Sequence, residues 1–261
     1  MHPQFYTPTC LVAVGSKVYI YVRGSSHSQI ASYDVDTSAF ATLPTFNFLR
    51  DVDGYTNAAF YKTIRAAAVG SSIYISARDN TGIRLASFNT ITRGWSLLPT
   101  LSQFLSDAVW TQEQYYSTFQ MLGKDTTLWL MMRGSAGVYL FSFDTEGNSW
   151  SFSGIPVITH FSDANGWGLP AYYPSFQMAA ISTGLYIAAR GSFGLVSFFY
   201  TIPTQVLSSV SIHTGYNDAN GWNLDKYFRT VKITSCGDIL LTWGRGTYLY
   251  QGIRLNTPAS T

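Results

Sequence analysis

Charge is scarce in this chain. Lys and Arg number 16 and Asp and Glu 14 among 261 residues, a charged fraction of 11% and a formal net charge of +2. The basic residues are scattered singly, so there is no electrostatic footprint for nucleic acid. No apolar run approaches the roughly 20 residues needed to cross a bilayer as a helix, which argues against a membrane partner. The opening segment MHPQFYTPTC lacks the basic start and apolar stretch of a signal peptide. No Asn-x-Ser/Thr acceptor occurs, since Asn148-Ser149 is followed by Trp150. The expected location is therefore cytoplasmic or non-classically secreted. The two cysteines, Cys10 and Cys236, are too few for a disulfide framework and lack the paired spacing of a zinc site. Both are read as free thiols, and no metal or other cofactor is expected.

Catalytic signatures are also missing. The chain has no His-Glu-x-x-His, no Gly-x-Ser-x-Gly, no phosphate-binding glycine loop and no Cys-x-x-Cys. Its histidines, His2, His27, His160 and His213, fall at unmatched positions and read as surface or internally satisfied groups. No catalytic residue is assigned. One-off carboxylates at Asp79, Glu113, Glu146 and Asp225 remain open as members of a single enzyme pocket.

Aromatics and glycine are plentiful, with 18 Tyr, 17 Phe, 7 Trp and 22 Gly. This mixture favours strands joined by tight turns over amphipathic helices. The strands recur. An apolar stretch ends in arginine at Arg23, Arg78, Arg133, Arg190 and Arg245, at spacings of 55, 55, 57 and 55 residues. An aromatic pair precedes each arginine in register: Phe5-Tyr6, Phe60-Tyr61, Tyr115-Tyr116, Tyr172-Tyr173 and Tyr227-Phe228. Ahead of the pair, four copies carry an acidic loop closed by an aromatic, Asp51 to Tyr55, Asp107 to Trp110, Asp163 to Trp167 and Asp218 to Trp222.

Within a copy, Tyr173 to Ile181 and Leu185 to Arg190 read as adjacent strands. Segments such as Val138 to Phe143 supply a third, and Trp95 to Pro99 or Trp150 to Phe152 a fourth. Four strands per repeat of about 55 residues suit a propeller blade, covered on both faces by its neighbours. The expected fold is all-β, a β-propeller of five four-stranded blades forming one domain over 1–261. The approximate repeats are 1–45, 46–100, 101–157, 158–211 and 212–261. A six-bladed ring completed by a second chain and a β-solenoid are the alternatives. An unpaired outer edge on the last blade would also invite a homo-oligomer.

Two readings of the repeated residues stay open. Trp and Tyr faces stack on the apolar side of a pyranose while Asp or Asn binds its hydroxyls, which suits a shallow sugar site. On that reading the ligand-binding residues are Asp51, Tyr55, Asp107, Trp110, Asp163, Asn165, Trp167, Asp218, Asn220 and Trp222, with Arg78, Arg133, Arg190 and Arg245 as bidentate donors. On the structural reading the same Asp, Asn and Gly residues form turns, the aromatics plug junctions between blades, and the arginines tie each blade to the next. Residue types alone put the structural reading first. The aromatic pairs are expected on strands, with one member of each pointing inward.

The phrases FSDANGWGLPAYYPSFQMAAI (161–181) and YNDANGWNLDKYFRTVKI (216–233) resemble repeats of mushroom β-propeller lectins of the Psathyrella velutina lectin type, and of related FG-GAP or VCBS-like repeat proteins. The resemblance implies a fungal-type lectin that binds glycans, N-acetylglucosamine or related terminal sugars, at several equivalent sites. The calcium-holding Asp-Gly-Asp-Gly-like turn of those repeats is replaced here by VGSK, VGSS, GKDT, ISTG and SCGD, too poor in carboxylates for an oxygen cage. Two alternatives from other classes are a cofactor-free propeller enzyme acting on a carbohydrate or aromatic small molecule at the central channel, and a protein-interaction propeller.

Overall fold

A computed structural model describes residues 9–102, 112–151, 157–220, 222–223, 225–236, 239–245 and 250–256. Those residues form an all-β succession of antiparallel meanders. The first sheet holds β1 (Thr9–Val14), β2 (Lys17–Arg23), β3 (Ser28–Asp34) and β4 (Ala39–Thr42), and the second β5 (Arg65–Val69), β6 (Ser72–Asp79), β7 (Gly82–Asn89) and β8 (Trp95–Leu101). The third runs β9 (Gln120–Lys124), β10 (Thr127–Gly134), β11 (Gly137–Asp144) and β12 (Ser149–Ser151). The fourth holds β13 (Gln177–Ile181), β14 (Gly184–Gly191), β15 (Gly194–Thr201) and β16 (Val206–Leu207), with β17 (Ser211–His213) also on β15. The last has β18 (Lys232–Cys236), β19 (Ile239–Arg245) and β20 (Tyr250–Asn256). No helix among the described residues is long and apolar enough to cross a membrane.

The second strands of the second, third and fourth meanders explain the near-continuous apolar runs in the sequence, whereas β2 alternates in burial. From its second residue β6 (SIYISARD) is buried on both faces, as is β10 (TLWLMMRG), and β14 (GLYIAARG) is buried throughout. A strand covered on both sides has no reason to alternate apolar with polar residues. By contrast β4 (AFAT), an edge strand, is exposed along its whole length.

Two compact units divide the chain: Met1–Leu130 with Phe141–Ser151, and Met131–Leu140 with Phe152–Thr261. In the first, β1 packs against β5 and β5 against β9. Its core includes Tyr19, Tyr21, Ile30, Phe48, Tyr55, Phe60, Tyr61, Phe88 and Tyr116. Tryptophans of the last strands reach back one copy here. Trp95 Nε1 donates to the Pro44 carbonyl at 3.0 Å and Trp150 Nε1 to that of Pro99 at 2.8 Å. In the second unit β13 packs against β18, over a core that includes Ile181, Tyr186, Tyr216, Trp222, Tyr227 and Leu240.

Phe5-Tyr6 lies outside the described residues, and the four described aromatic pairs are not on strands. They occupy single helical turns, α1 (Ala58–Tyr61), α2 (Asp225–Phe228) and the 3-10 turns Glu113–Thr118 and Pro170–Ser175. The strand expected over Tyr173 to Ile181 therefore starts only at Gln177. A turn lets both members of a pair face inward, and Phe60, Tyr61, Tyr115, Tyr116, Tyr172, Tyr173, Tyr227 and Phe228 are all buried. A hydroxyl closes each turn. Thr63, Thr118, Ser175 and Thr230 donate to the carbonyl three residues back, those of Phe60, Tyr115, Tyr172 and Tyr227, at 2.6–2.7 Å. The same oxygens of Thr63 and Ser175 accept the backbone N–H of Arg78 and Arg190 at 2.8 and 2.9 Å.

After the fourth strand the chain returns to the start of the third. Phe46 pairs with Ser28, Leu101 with Ile83, Ile158 with Val138 and His213 with Leu195. This close return explains a glycine. Gly82, Gly137 and Gly194 open the third strands at φ of 141°, 142° and 132°, and a Cβ there would collide with the carbonyls of Leu101, Ile158 and His213. Five residues past Phe46, Ile158 and His213 come Asp51, Asp163 and Asp218. The return thus delivers each acidic loop to the arginine at the end of the preceding sheet's second strand.

Candidate functional site: a repeated arginine–acid loop

Each acidic loop begins as a 3-10 turn, Asp51–Asp53, Asp163–Asn165 or Asp218–Asn220. Gly54 and Gly166 end the first two in the left-handed region. The aspartate N–H donates to a carbonyl at the tip of the preceding β2–β3-type hairpin: Asp51 to Ser25 at 2.9 Å, Asp163 to Ser135 at 2.8 Å and Asp218 to Ser192 at 3.2 Å. Hairpin tip and loop therefore form one surface.

Beneath that surface lies a buried arginine. Arg23, Arg133 and Arg190 are each 0% exposed. Their Nε atoms donate to the carbonyls of Leu49, Phe161 and Tyr216 at 2.7, 2.8 and 2.8 Å. Their Nη2 atoms donate to Oδ1 of Asp51, Asp163 and Asp218 respectively. Each guanidinium also lies over the second aromatic of the next pair, Arg23 over Tyr61 at 4.5 Å, Arg133 over Tyr173 at 4.7 Å and Arg190 over Phe228 at 4.1 Å. Arg78 repeats the stacking over Tyr116 at 4.7 Å. Burial pulls the pKa of Arg190 down while Asp218 opposes the shift. A guanidinium starting above 12 remains charged. The arginines are thus latches from one copy to the next, built of a charge-assisted hydrogen bond, a carbonyl contact and a cation–π stack.

This geometry corrects the ligand roles expected for several residues. Tyr55, Trp167 and Trp222 are 1%, 2% and 1% exposed, so no ring face is available for a sugar. Trp167 instead packs edge-on against Phe161, Tyr172 and Phe176. Arg133 and Arg190, and Arg78 at 5% exposure, are likewise covered and cannot reach a ligand as bidentate donors. The aspartate side chains remain at the surface, with 35%, 37% and 40% of Asp51, Asp163 and Asp218 exposed. Asn165 and Asn220 are exposed, each with its amide nitrogen bound to a backbone carbonyl, of Thr159 at 2.9 Å and Thr214 at 3.0 Å. In the first loop Asp53 takes the asparagine's place and is paired with Arg50, which holds its carboxyl below the usual range. Asp107 and Trp110 lie outside the described residues, as does the side chain of Arg245.

Among the described side chains Asp79, Glu113 and Glu146 form no acid–base pair; that of Asp225 lies outside them. Asp79 stands where the other copies have Gly after the arginine, and it is buried. Its Oδ1 accepts from Thr81 N, Thr81 Oγ1 and Gly82 N at 2.7, 2.6 and 3.1 Å, and its Oδ2 pairs with Arg84. Those bonds tie it to the hairpin turn. Glu113 accepts from Asn57 Nδ2 at 3.0 Å on the exposed surface, and Glu146 lies on an exposed turn. No group of three or more His, Cys, Asp or Glu residues able to hold a metal ion occurs among the described residues. The hydroxyls at Thr63, Thr118, Ser175 and Thr230 escaped the residue-type reading, although each stands two positions after its aromatic pair.

No family model matches the chain, and no curated protein matches it in sequence. Solved structures do. A prolyl endopeptidase is 8% identical with a TM-score of 0.50, over 93% of this chain and 32% of that one. TolB from Acinetobacter baumannii is 11% identical with a TM-score of 0.46, over 92% of this chain and 51% of that one. The β-propeller domain of the Trilobed protease from Pyrococcus furiosus is 7% identical with a TM-score of 0.49, over 98% of this chain and 70% of that one. The chain thus spans about half the length of TolB and a third of the prolyl endopeptidase. At such identities the likeness concerns fold alone. What fold and site define together is an all-β repeat protein with several four-stranded antiparallel sheets and three described arginine–aspartate latches.

Proposed function

We propose that the chain is a five-bladed β-propeller lectin that binds glycans at several repeated sites without catalysis. The latch by itself accounts for the recurrence of arginine and aspartate. The lectin reading rests on what the latch leaves over. In each of three loops one carboxylate oxygen is held by a buried arginine while much of the aspartate faces solvent. In two of them an exposed asparagine is oriented by a bond from its amide nitrogen to a backbone carbonyl. Acceptors held rigidly before a ligand arrives lose little freedom on binding hydroxyls. Repetition of the same polar surface suits multivalent recognition, whereas acid–base catalysis needs two groups in unlike environments within one pocket. Weak individual sites on one scaffold raise avidity by about two to four orders of magnitude where spacing permits simultaneous engagement.

The test is a glycan-array screen of the purified chain, followed by calorimetric stoichiometry with any hit. Several equivalent sites per chain, reduced one at a time by Asn165→Ala and Asn220→Ala, are expected. A clean array, or a single site untouched by both substitutions, overturns the reading.

A further inference from the structure

The repeated loops are alike in backbone but not in what borders them. The hairpin tips after the arginines are of equal length, because Arg23 pairs with Ser28, Arg78 with Ile83 and Arg190 with Leu195, and two residues separate Gly134 from Gly137 as they separate Gly191 from Gly194. The third residue after the arginine is Ser26, Thr81, Ala136, Phe193 and Tyr248 in turn. Phe193 is 65% exposed. The turn does not require an aromatic, since three of the five copies have a small residue there. Most of the phenyl ring on this hairpin tip is therefore open to solvent.

We propose that Ser192, Phe193, Asp218 and Asn220 form a glycan subsite in which Phe193, not a loop tryptophan, is the stacking platform. This inference rests on the lectin reading and adds an aromatic contact to one of its repeated sites, at the fourth hairpin. The Asp218 N–H bond to the Ser192 carbonyl at 3.2 Å sets the aromatic tip beside the acidic loop. Arg190 holds Asp218 Oδ1, so the carboxylate is fixed, and among the described residues none donates to its Oδ2. Asn220 has its amide nitrogen on the Thr214 carbonyl, which leaves Oδ1 as an acceptor toward solvent. The Ser192 hydroxyl, half-buried, supplies a donor.

The chemistry selects a class of sugar. A phenyl face stacks on contiguous C–H groups, so one side of the pyranose must be free of axial hydroxyls. Two acceptors and one donor suit neighbouring hydroxyl groups. Arg190, the cation paired with Asp218, is covered while the carboxylate is partly exposed, so an anionic sugar would meet the carboxylate and not the guanidinium. The ligand is therefore a neutral pyranoside rather than a sialylated one.

The test uses the full chain with methyl glycosides of glucose, galactose, mannose and N-acetylglucosamine, and with sialyllactose, read by saturation-transfer NMR and calorimetric titration. At least one neutral glycoside is expected to bind through its C–H face. Phe193→Ala should weaken it about three- to tenfold, the range of an aromatic contact, and Phe193→Trp should retain or tighten binding. Phe40→Ala, which removes an exposed phenyl ring on β4 outside the acidic loops, should leave that affinity unchanged. If a glycoside binds but Phe193→Ala has no effect, or if sialyllactose binds best, the subsite is refuted while the lectin reading stands. If no sugar binds, both fall.

Discussion

Removing one side of a latch should cost more than losing a surface ion pair and less than breaking a fully buried one. Asp163→Ala is the cleanest case. Its partner Arg133 is 0% exposed while the aspartate side chain is 37% exposed. Exposed pairs contribute about 0–1 kcal/mol, and stripping one partner from a buried pair costs about 3–5 kcal/mol. Water can reach the vacated carboxylate position and partly solvate the stranded guanidinium, which sets the expected loss near 2 kcal/mol. For a chain of this size that is a fall in melting temperature of about 4–8 °C. Arg133→Met removes the carbonyl contact to Phe161 and the stack on Tyr173 as well. It leaves a buried acceptor unsatisfied, so about 3–5 kcal/mol is expected. The double variant should cost less than the sum, with a coupling of about 1–2 kcal/mol. Urea unfolding followed by tryptophan fluorescence gives all three values. A loss below about 0.5 kcal/mol for Asp163→Ala, with no coupling, would refute the latch, because the two groups would then act independently.

Trp167→Phe should destabilise the chain by about 1–2 kcal/mol through the cavity it opens beside Phe161 and Phe176, yet leave glycan affinity unchanged in the folded protein. A titration showing lost affinity at full folding would return the tryptophan to the site. Gly137→Ala should cost at least about 1–3 kcal/mol and loosen the Val138–Ile158 bridge, because its Cβ would meet the Ile158 carbonyl 2.5 Å away. Amide exchange of Ile158 reads that directly. Burial raises the phenol pKa of Tyr21, against a partly offsetting bond with Ser28, and also that of Tyr55. The folded state therefore binds protons the unfolded state releases, so stability is intact below pH about 10 and falls as pH rises beyond it. Alkaline absorbance titration should show those phenols ionising only as the chain unfolds; reversible ionisation in the folded state would contradict their burial.

The period was legible because it rests on side chains the fold cannot exchange. An arginine that must reach a carbonyl, an aspartate and a ring at once tolerates no substitute, so it recurs at nearly constant spacing. Burial of the loop aromatics was not legible. Trp167 and Trp222 sit beside Asp, Asn and Gly in sequence, a setting shared by turn plugs and sugar platforms alike. Only the helical turn that follows, which brings Tyr172 and Phe176 against Trp167, decides between them. That turn was itself hidden by its composition, since aromatic pairs favour strands and the hydroxyl that closes it is a commonplace residue. Phe193 stands at a position with no recurring residue, Ser26, Thr81, Ala136 and Tyr248 being its counterparts, so the period does not single it out.

On the proposed reading, a carboxylate shared by latch and site would link binding to stability. A ligand accepted by Asp218 Oδ2 holds the group whose Oδ1 anchors Arg190, so occupancy favours the latched state. Conversely, the latch orients the acceptor before any ligand arrives. Evolution can then vary the hairpin tip, as it does across Ser26, Thr81, Ala136 and Phe193, without disturbing the arginine, aspartate or aromatic pair beneath. In such an architecture the repeated residues carry the fold and the unrepeated ones carry the specificity. The places to seek function in this chain are therefore the positions where its copies disagree.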